Sequence, residues 1–175
     1  MRKQKDPNVT GNSTNWNNWQ AVFDDRLCDD CHDAHGAIYA PKEIIKHLHF
    51  KDRCRLVPMR TKKAGTATKD GIAGVDKFLK FTGKLPPNYI DKNNARKNGW
   101  KSRKGNLDQV LPGRIIGGDI YHNDNKRLPE KSGRTWYEAD LEYEKGFRSR
   151  DRILYSSDGL IFITKDHYET YYEIT

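Results

Sequence analysis

Long apolar runs are absent. No stretch of the 175-residue chain approaches the roughly 20 apolar residues that a membrane span needs. No apolar segment follows the N-terminus, so a secretory signal is not expected. Cysteine is scarce and odd in number, at 3, which argues against a full disulfide framework. Apolar residues make up only 35% of the chain, so any core is small. No internal repeat or heptad pattern appears, which excludes solenoids and coiled coils. Acidic residues are outnumbered: 32 Lys and Arg against 24 Asp and Glu leave a formal net charge of +8. Such an excess suits a negatively charged partner such as nucleic acid, although charge says nothing of fold. Aromatic residues reach 11%, and each ring buries a large area, which makes a small core workable.

Three segments differ in texture. Residues 1–18 are polar and Asn-rich without a period, and read as a flexible start. Residues 19–65 hold all three cysteines and four of the six histidines, and read as a small Cys/His module. Residues 61–71 are small and polar and read as a linker, with the boundary near residue 65. Residues 66–175 read as a second domain. There Val75, Phe78, Leu79 and Thr82 have helical spacing, with Gly83 as a stop. Asp91 is placed to cap a second helix ending at Gly99. Beyond residue 114 the pattern becomes strand-like, over 114–121, 135–141, 152–156, 160–164 and 168–174, with turn-forming residues between. Helices followed by closely spaced strands predict an α+β fold: N-terminal helices packed on a twisted antiparallel sheet of about five strands.

The strand region holds an acid–base kit. Cleaving RNA through its 2′-hydroxyl needs a base for the 2′ proton, an acid for the departing 5′ oxygen, and fixed cations for the phosphoryl charge. Glu138 lies in the middle of an apolar strand, Trp136-Tyr137-Glu138-Ala139-Asp140. Strict alternation puts Trp136, Glu138 and Asp140 on one face. Arg148 and Arg152 follow, and His167 opens the last strand segment. Arginine suits phosphate because its planar fork meets two oxygens at once. Taken singly, each has an ordinary role: a strand Glu faces solvent or pairs with Arg, a strand-end His caps, and an Arg cluster is a solvated face.

Longer blocks add specificity. Lys84-Leu85-Pro86-Pro87-Asn88-Tyr89-Ile90, Ile116-Gly117-Gly118-Asp119-Ile120, Lys131-Ser132-Gly133-Arg134-Thr135-Trp136, Asp151-Arg152-Ile153-Leu154-Tyr155-Ser156 and Asp166-His167-Tyr168 occur in order. Over about residues 70–174 the chain resembles the barnase-like microbial guanyl-specific ribonucleases. The resemblance implies Glu138 as general base and His167 as general acid. It implies Lys92, Arg148 and Arg152 as phosphate-stabilising cations and Tyr168 as the aromatic beside the substrate. It also implies a metal-free reaction through a 2′,3′-cyclic phosphate, preferentially after guanosine, with RNA and not DNA as substrate and no membrane partner. Asp119, Arg134, Asp140 and Asp158 match positions of structural ion pairs. The base-reading loop corresponds to residues 121–129, with Tyr121, His122, Asn123, Asp124 and Asn125 at the substrate. The family has an Arg and then a Glu where this chain has Asp124 and Asn125; neutral Asn125 is a weaker acceptor, so a reduced guanine preference is expected.

In the N-terminal module Cys28-Asp29-Asp30-Cys31 is a C-x2-C pair, with His47, His49 and Cys54 downstream. Close cysteine pairs are common half-sites for tetrahedral zinc. The segment resembles the C-terminal end of phage head-morphogenesis proteins, which implies a structural zinc on Cys28, Cys31, His49 and Cys54. His32 and His35 are alternative ligands expected to face solvent. Asp52 stands at a position where the motif has a cysteine. A phage-type segment fused to a nuclease resembles a delivered toxin, acting in a target cytoplasm or carried on a phage particle and restrained by an acidic barstar-like inhibitor. Two other readings stay open: a non-catalytic RNA- or protein-binding module, and a phage structural protein with secondary nuclease activity.

Overall fold

Alternating apolar and polar residues after residue 114 build the centre of the molecule. A computed structural model describes residues 9–22, 29–40 and 54–175. Five consecutive strands, β5 (Ile115–Tyr121), β6 (Trp136–Asp140), β7 (Arg152–Ser156), β8 (Ile161–Thr164) and β9 (Tyr172–Ile174), pair antiparallel in chain order. The last of them is shorter than the expected 168–174; residues 165–171 form a loop instead.

The helices fall where their signals lie. α2 (Val75–Thr82) presents Val75 and Leu79 to one face of the sheet, against Ala139, Leu141, Ile153, Ile161 and Ile163. Asp91 caps α3 (Lys92–Lys97) by accepting from the Asn94 N–H at 2.8 Å. A short α4 (Leu107–Val110) closes a smaller cluster of Ala95, Trp100, Leu107 and Ile116. All four residues of β8 are buried, as a continuous apolar run with cover on both faces demands.

The cover on the second face comes from the N-terminal part. There Met59 and Ile38 pack with Leu128, Trp136, Leu154 and Phe162. Burial of side chains of this size contributes roughly 1.5–3 kcal/mol each. The sheet therefore differs from the expected five antiparallel strands. Among the described residues it has nine, in the order β2-β1-β3-β9-β8-β7-β6-β5-β4. β1 (Val9–Gln20) pairs antiparallel with β2 (Ile38–Tyr39) and with β3 (Arg55–Lys62). β3 pairs in parallel with β9, and β4 (Tyr89–Ile90) in parallel with β5, so the sheet is mixed. A five-residue helix, α1 (Asp29–Asp33), stands between β1 and β2.

Two expectations are corrected here. Residues 9–18, read as flexible, belong to a strand; an Asn-rich strand has little intrinsic preference, and pairing on both sides supplies what composition does not. The linker reading at residues 61–71 also gives way at its start. Thr61 and Lys62 lie in β3, paired with Glu173 and Ile174. The remainder is tied to α2: Asp76, fully buried, accepts from the N–H groups of Gly65 at 2.8 Å and Ala67 at 3.0 Å and from the Thr68 hydroxyl at 2.9 Å.

Candidate active site

Glu138 is placed by the middle of β6, opposite Asp119 on β5 and Leu154 on β7. A bulge at Gly118, whose φ of +96° suits glycine, brings Asp119 into that register. Asp119 then accepts the Lys92 backbone N–H with both oxygens, at 3.1 and 3.2 Å. That contact seats the start of α3 so that the Lys92 ammonium donates to Glu138 Oε1. The Tyr168 hydroxyl donates to Glu138 Oε2 at 2.5 Å. The Glu138 side chain is only 10% exposed. Burial alone pushes its carboxyl up, but the Lys92 and Tyr168 hydrogen bonds and the Lys92 and Arg148 charges outweigh that and hold it below the ordinary range. It is a desolvated carboxylate kept ionised. Burial and the adjacent Glu138 both raise the Tyr168 phenol.

His167 sits on the exposed loop between β8 and β9, with φ at +61°, followed by Tyr168 at +72°. Its ring lies 4.8 Å from that of Tyr168. Tyr168 thus joins the two expected acid–base residues: its hydroxyl is on the carboxylate and its ring is against the imidazole. The loop is held by Asp166, which accepts from Thr164, Glu169 and Thr170.

The arginines converge on Asp140, the next inward residue of the same strand face. Arg148 forms a bidentate pair with it, both bonds at 2.6 Å. Arg152 Nε approaches it at 3.1 Å. One buried carboxylate thus faces two cations. The pair leaves one net positive charge beside Glu138, and Arg148 is close enough to act on the Glu138 carboxyl. Arg152 also donates to the carbonyls of Ser149 and Asp151, at 2.7 and 2.8 Å. Its role is therefore largely structural fixation, with its charge reaching the site through space. Arg134 and Asp158 pair through two 2.8 Å bonds, as a structural ion pair should.

The loop of residues 121–129, expected to read the base, is rigidified from within. Buried Asn123 exchanges two 2.9 Å bonds with the Leu128 backbone. His122, Asp124 and Asn125 are exposed. The Asn125 side-chain oxygen accepts from the Arg127 N–H at 3.3 Å and the Tyr121 hydroxyl at 3.4 Å. Tyr121 stacks on Tyr168 with ring centroids 5.2 Å apart. An intercalated base needs roughly 7 Å, two contact distances of about 3.5 Å, so Tyr168 must move to admit one there.

Of the four expected zinc ligands, Cys28 and His49 lie outside the described residues, as do His47 and Asp52. Cys31 and Cys54 are both buried in one small cluster with Trp19 and Ala21. The Val22 N–H donates to the Cys54 sulfur at 3.4 Å. Among the described residues no group of three or more metal-ligating side chains gathers. His32 is exposed as expected. His35 is not: it is half-buried, accepts the Ala21 N–H at 3.2 Å, and burial lowers its pKa.

Two roles escaped the sequence. The Tyr168 hydroxyl on Glu138 carries no sequence signal, since the resemblance implies Tyr168 only as the aromatic beside the substrate. Arg127, which ties the base loop to the His167 loop, carries no sequence signal, because its partners are backbone carbonyls 41 and 42 positions away.

The family model described as ribonuclease matches residues 75–175. The chain belongs to the ribonuclease family. Ribonucleases of Heyndrickxia coagulans, Bacillus intermedius and Bacillus pumilus are each 51% identical to it over 107 residues, 61% of this chain. The match takes in 95% of the first and 64% of each of the other two. The ribonuclease match begins with α2 and leaves β1, β2 and β3 outside it.

Proposed function

We propose that this member of the ribonuclease family is an endoribonuclease that cleaves single-stranded RNA without a catalytic metal, preferentially after guanosine. The observation that carries the reading is Glu138, a buried carboxylate kept ionised beside a cation cluster and bridged through Tyr168 to an exposed imidazole. In the first step Glu138 takes the 2′-hydroxyl proton. The 2′ oxygen attacks phosphorus, the bond to the 5′ oxygen breaks, and His167 in its protonated form donates to that oxygen. Lys92, Arg148 and Arg152 stabilise the charge on the phosphoryl oxygens. In the second step the roles reverse: His167 takes a proton from water, Glu138 returns one to the 2′ oxygen, and the 2′,3′-cyclic phosphate opens to a 3′-phosphate.

Base choice is assigned to the loop of Tyr121, His122, Asn123, Asp124 and Asn125, with Tyr168 over the base. Asn125 supports a weakened preference, since its side-chain oxygen is already engaged within the loop. The +8 charge supports binding of RNA and of an acidic barstar-like inhibitor, whose encounter would be accelerated by charge complementarity; barnase with barstar is the standard measured example of that effect. A delivered-toxin role, on a phage particle or in a target cytoplasm, follows the same reading. A structural zinc on Cys28, Cys31, His49 and Cys54 is a separate proposal, which metal analysis of the purified chain tests; zinc near zero stoichiometry ends it.

The decisive assay is cleavage of GpA in EDTA, followed by ApA and UpA. Undiminished GpA turnover with cyclic phosphate released first is the expected result. Loss of turnover in EDTA overturns the metal-free mechanism. Equal rates on all three substrates defeat the guanine claim. No cleavage of any of them favours a binding module.

A further inference from the structure

The three strands outside the ribonuclease match do more than widen the sheet. Residues 36–38, where the chain enters β2, are docked on the base-reading loop. The Ile38 N–H donates to the Arg127 carbonyl at 2.8 Å. Gly36, at a φ of +82°, passes so close that a Cβ there would stand 3.3 Å from the Glu169 carbonyl oxygen and 3.6 Å from Arg127 Nε. The Gly36 and Trp19 backbones are in turn bonded, as the Gly36 N–H donates to the Trp19 carbonyl at 2.9 Å. Trp19 is fully buried.

Arg127 is the node of this contact. One of its guanidinium nitrogens donates to the carbonyls of Tyr168 at 2.8 Å and Glu169 at 3.3 Å, and to the Glu169 carboxylate at 2.7 Å. The Arg127 side chain is 19% exposed and that of Glu169 66%. The carboxylate is therefore the weaker partner, screened by solvent, and the part-buried bond to the Tyr168 carbonyl does most of the fixing. The carbonyls it holds belong to the loop that carries His167 and Tyr168, both at left-handed φ. That conformation is costly for non-glycine residues and persists where surroundings enforce it.

We propose that Arg127 is a positioning residue for base recognition, and that residues 36–38, by seating it, belong to the specificity apparatus of the nuclease. Arg127 spans from the base-reading loop to the Tyr168 backbone, so it fixes where Tyr168 stands relative to Tyr121 on the loop to which base choice is assigned. It touches no reacting atom. The proposal rests on the ribonuclease reading and deepens it.

The test uses the full chain with three variants, Arg127→Ala, Arg127→Lys and Gly36→Val, and separates kcat from KM on GpA and ApA. Arg127→Ala is expected to raise KM for GpA about tenfold, which corresponds to about 1.4 kcal/mol, with kcat falling less than threefold. Arg127→Lys restores part of the affinity, because an ammonium donates as a point charge and lacks the planar fork. Gly36→Val lies away from the substrate and is expected to raise the same KM, because a branched residue at positive φ forces the segment off the loop. Melting curves give the folded fraction of each variant. If Gly36→Val does not fold, Glu169→Gln replaces it, with a smaller KM rise expected. An unchanged KM for GpA in Arg127→Ala, or a fall in kcat alone that tracks the folded fraction, overturns the positioning role. A parent chain that cleaves neither dinucleotide overturns the ribonuclease reading, and this proposal with it.

Discussion

Glu138 shows how opposed effects are balanced on a single group. Burial favours the neutral acid, whereas two donors and two cations favour the anion, and the anion wins. A general base must be ionised to accept a proton, so the acid limb of kcat/KM is expected below the pH of an ordinary glutamate titration. Tyr168→Phe removes one donor to the carboxylate, so its pKa rises and the acid limb moves to higher pH. An unmoved limb would mean that the hydroxyl does not sit on Glu138 in solution. Glu138→Gln keeps the shape and loses the acceptor; transesterification of GpA is expected to fall roughly 10²–10⁴-fold, the usual worth of a positioned acid or base. Linkage gives a stability counterpart. A carboxyl with a lowered folded-state pKa stabilises the fold above its unfolded pKa and ceases to do so as pH falls through the lowered value. Urea midpoints for Glu138→Gln should accordingly converge on the parent's at acid pH. At this scale the sequence is informative: a lone carboxylate in an apolar strand stands out, and the resemblance implies a role for it. The Tyr168 hydroxyl did not stand out, because its partner lies 30 positions away.

Elements are held by polar clasps as much as by apolar faces. Asp76, in the first turn of α2, gathers three donors from residues 65–68 and so fastens the incoming chain to the helix. A carboxylate there also complements the helix dipole. Asp76→Ala leaves those donors unpaired, and a loss of about 2–4 kcal/mol is expected. Thermal melting should register it as a fall of several degrees; a change under about 1 °C would show the clasp to be dispensable. The strands β5 to β8 were legible because their apolar residues alternate or run continuously. β1 was not legible, because its asparagines carry no such period and its order depends on partners on either side.

For the whole molecule, the excess of basic residues sets how it meets its substrate. Each RNA phosphate neutralised releases counterions, giving a slope of about −0.7 in log affinity against log salt. Raising salt is expected to lower kcat/KM on RNA mainly through KM, with kcat little changed. A kcat/KM insensitive to salt would sink the electrostatic account. The mixed sheet joins N-terminal segment and nuclease through β3 and β9. The same joining places Ile38 against Arg127, so an extension that looks like a separate module by composition reaches the loop to which base choice is assigned.

The sequence by itself determined the α+β arrangement, the helices at Val75 and Lys92 and the central antiparallel strands, and singled out Glu138 and His167 as candidates, because each depends on local period, capping or a contiguous block of residues. Tertiary structure alone decided that β1 is a strand, that Asp140 binds two arginines, that Tyr168 bridges Glu138 to His167, and that Arg127 links three segments. These are pairings between residues far apart in the chain. Their free energy comes from burial and from satisfying backbone groups that no local pattern records.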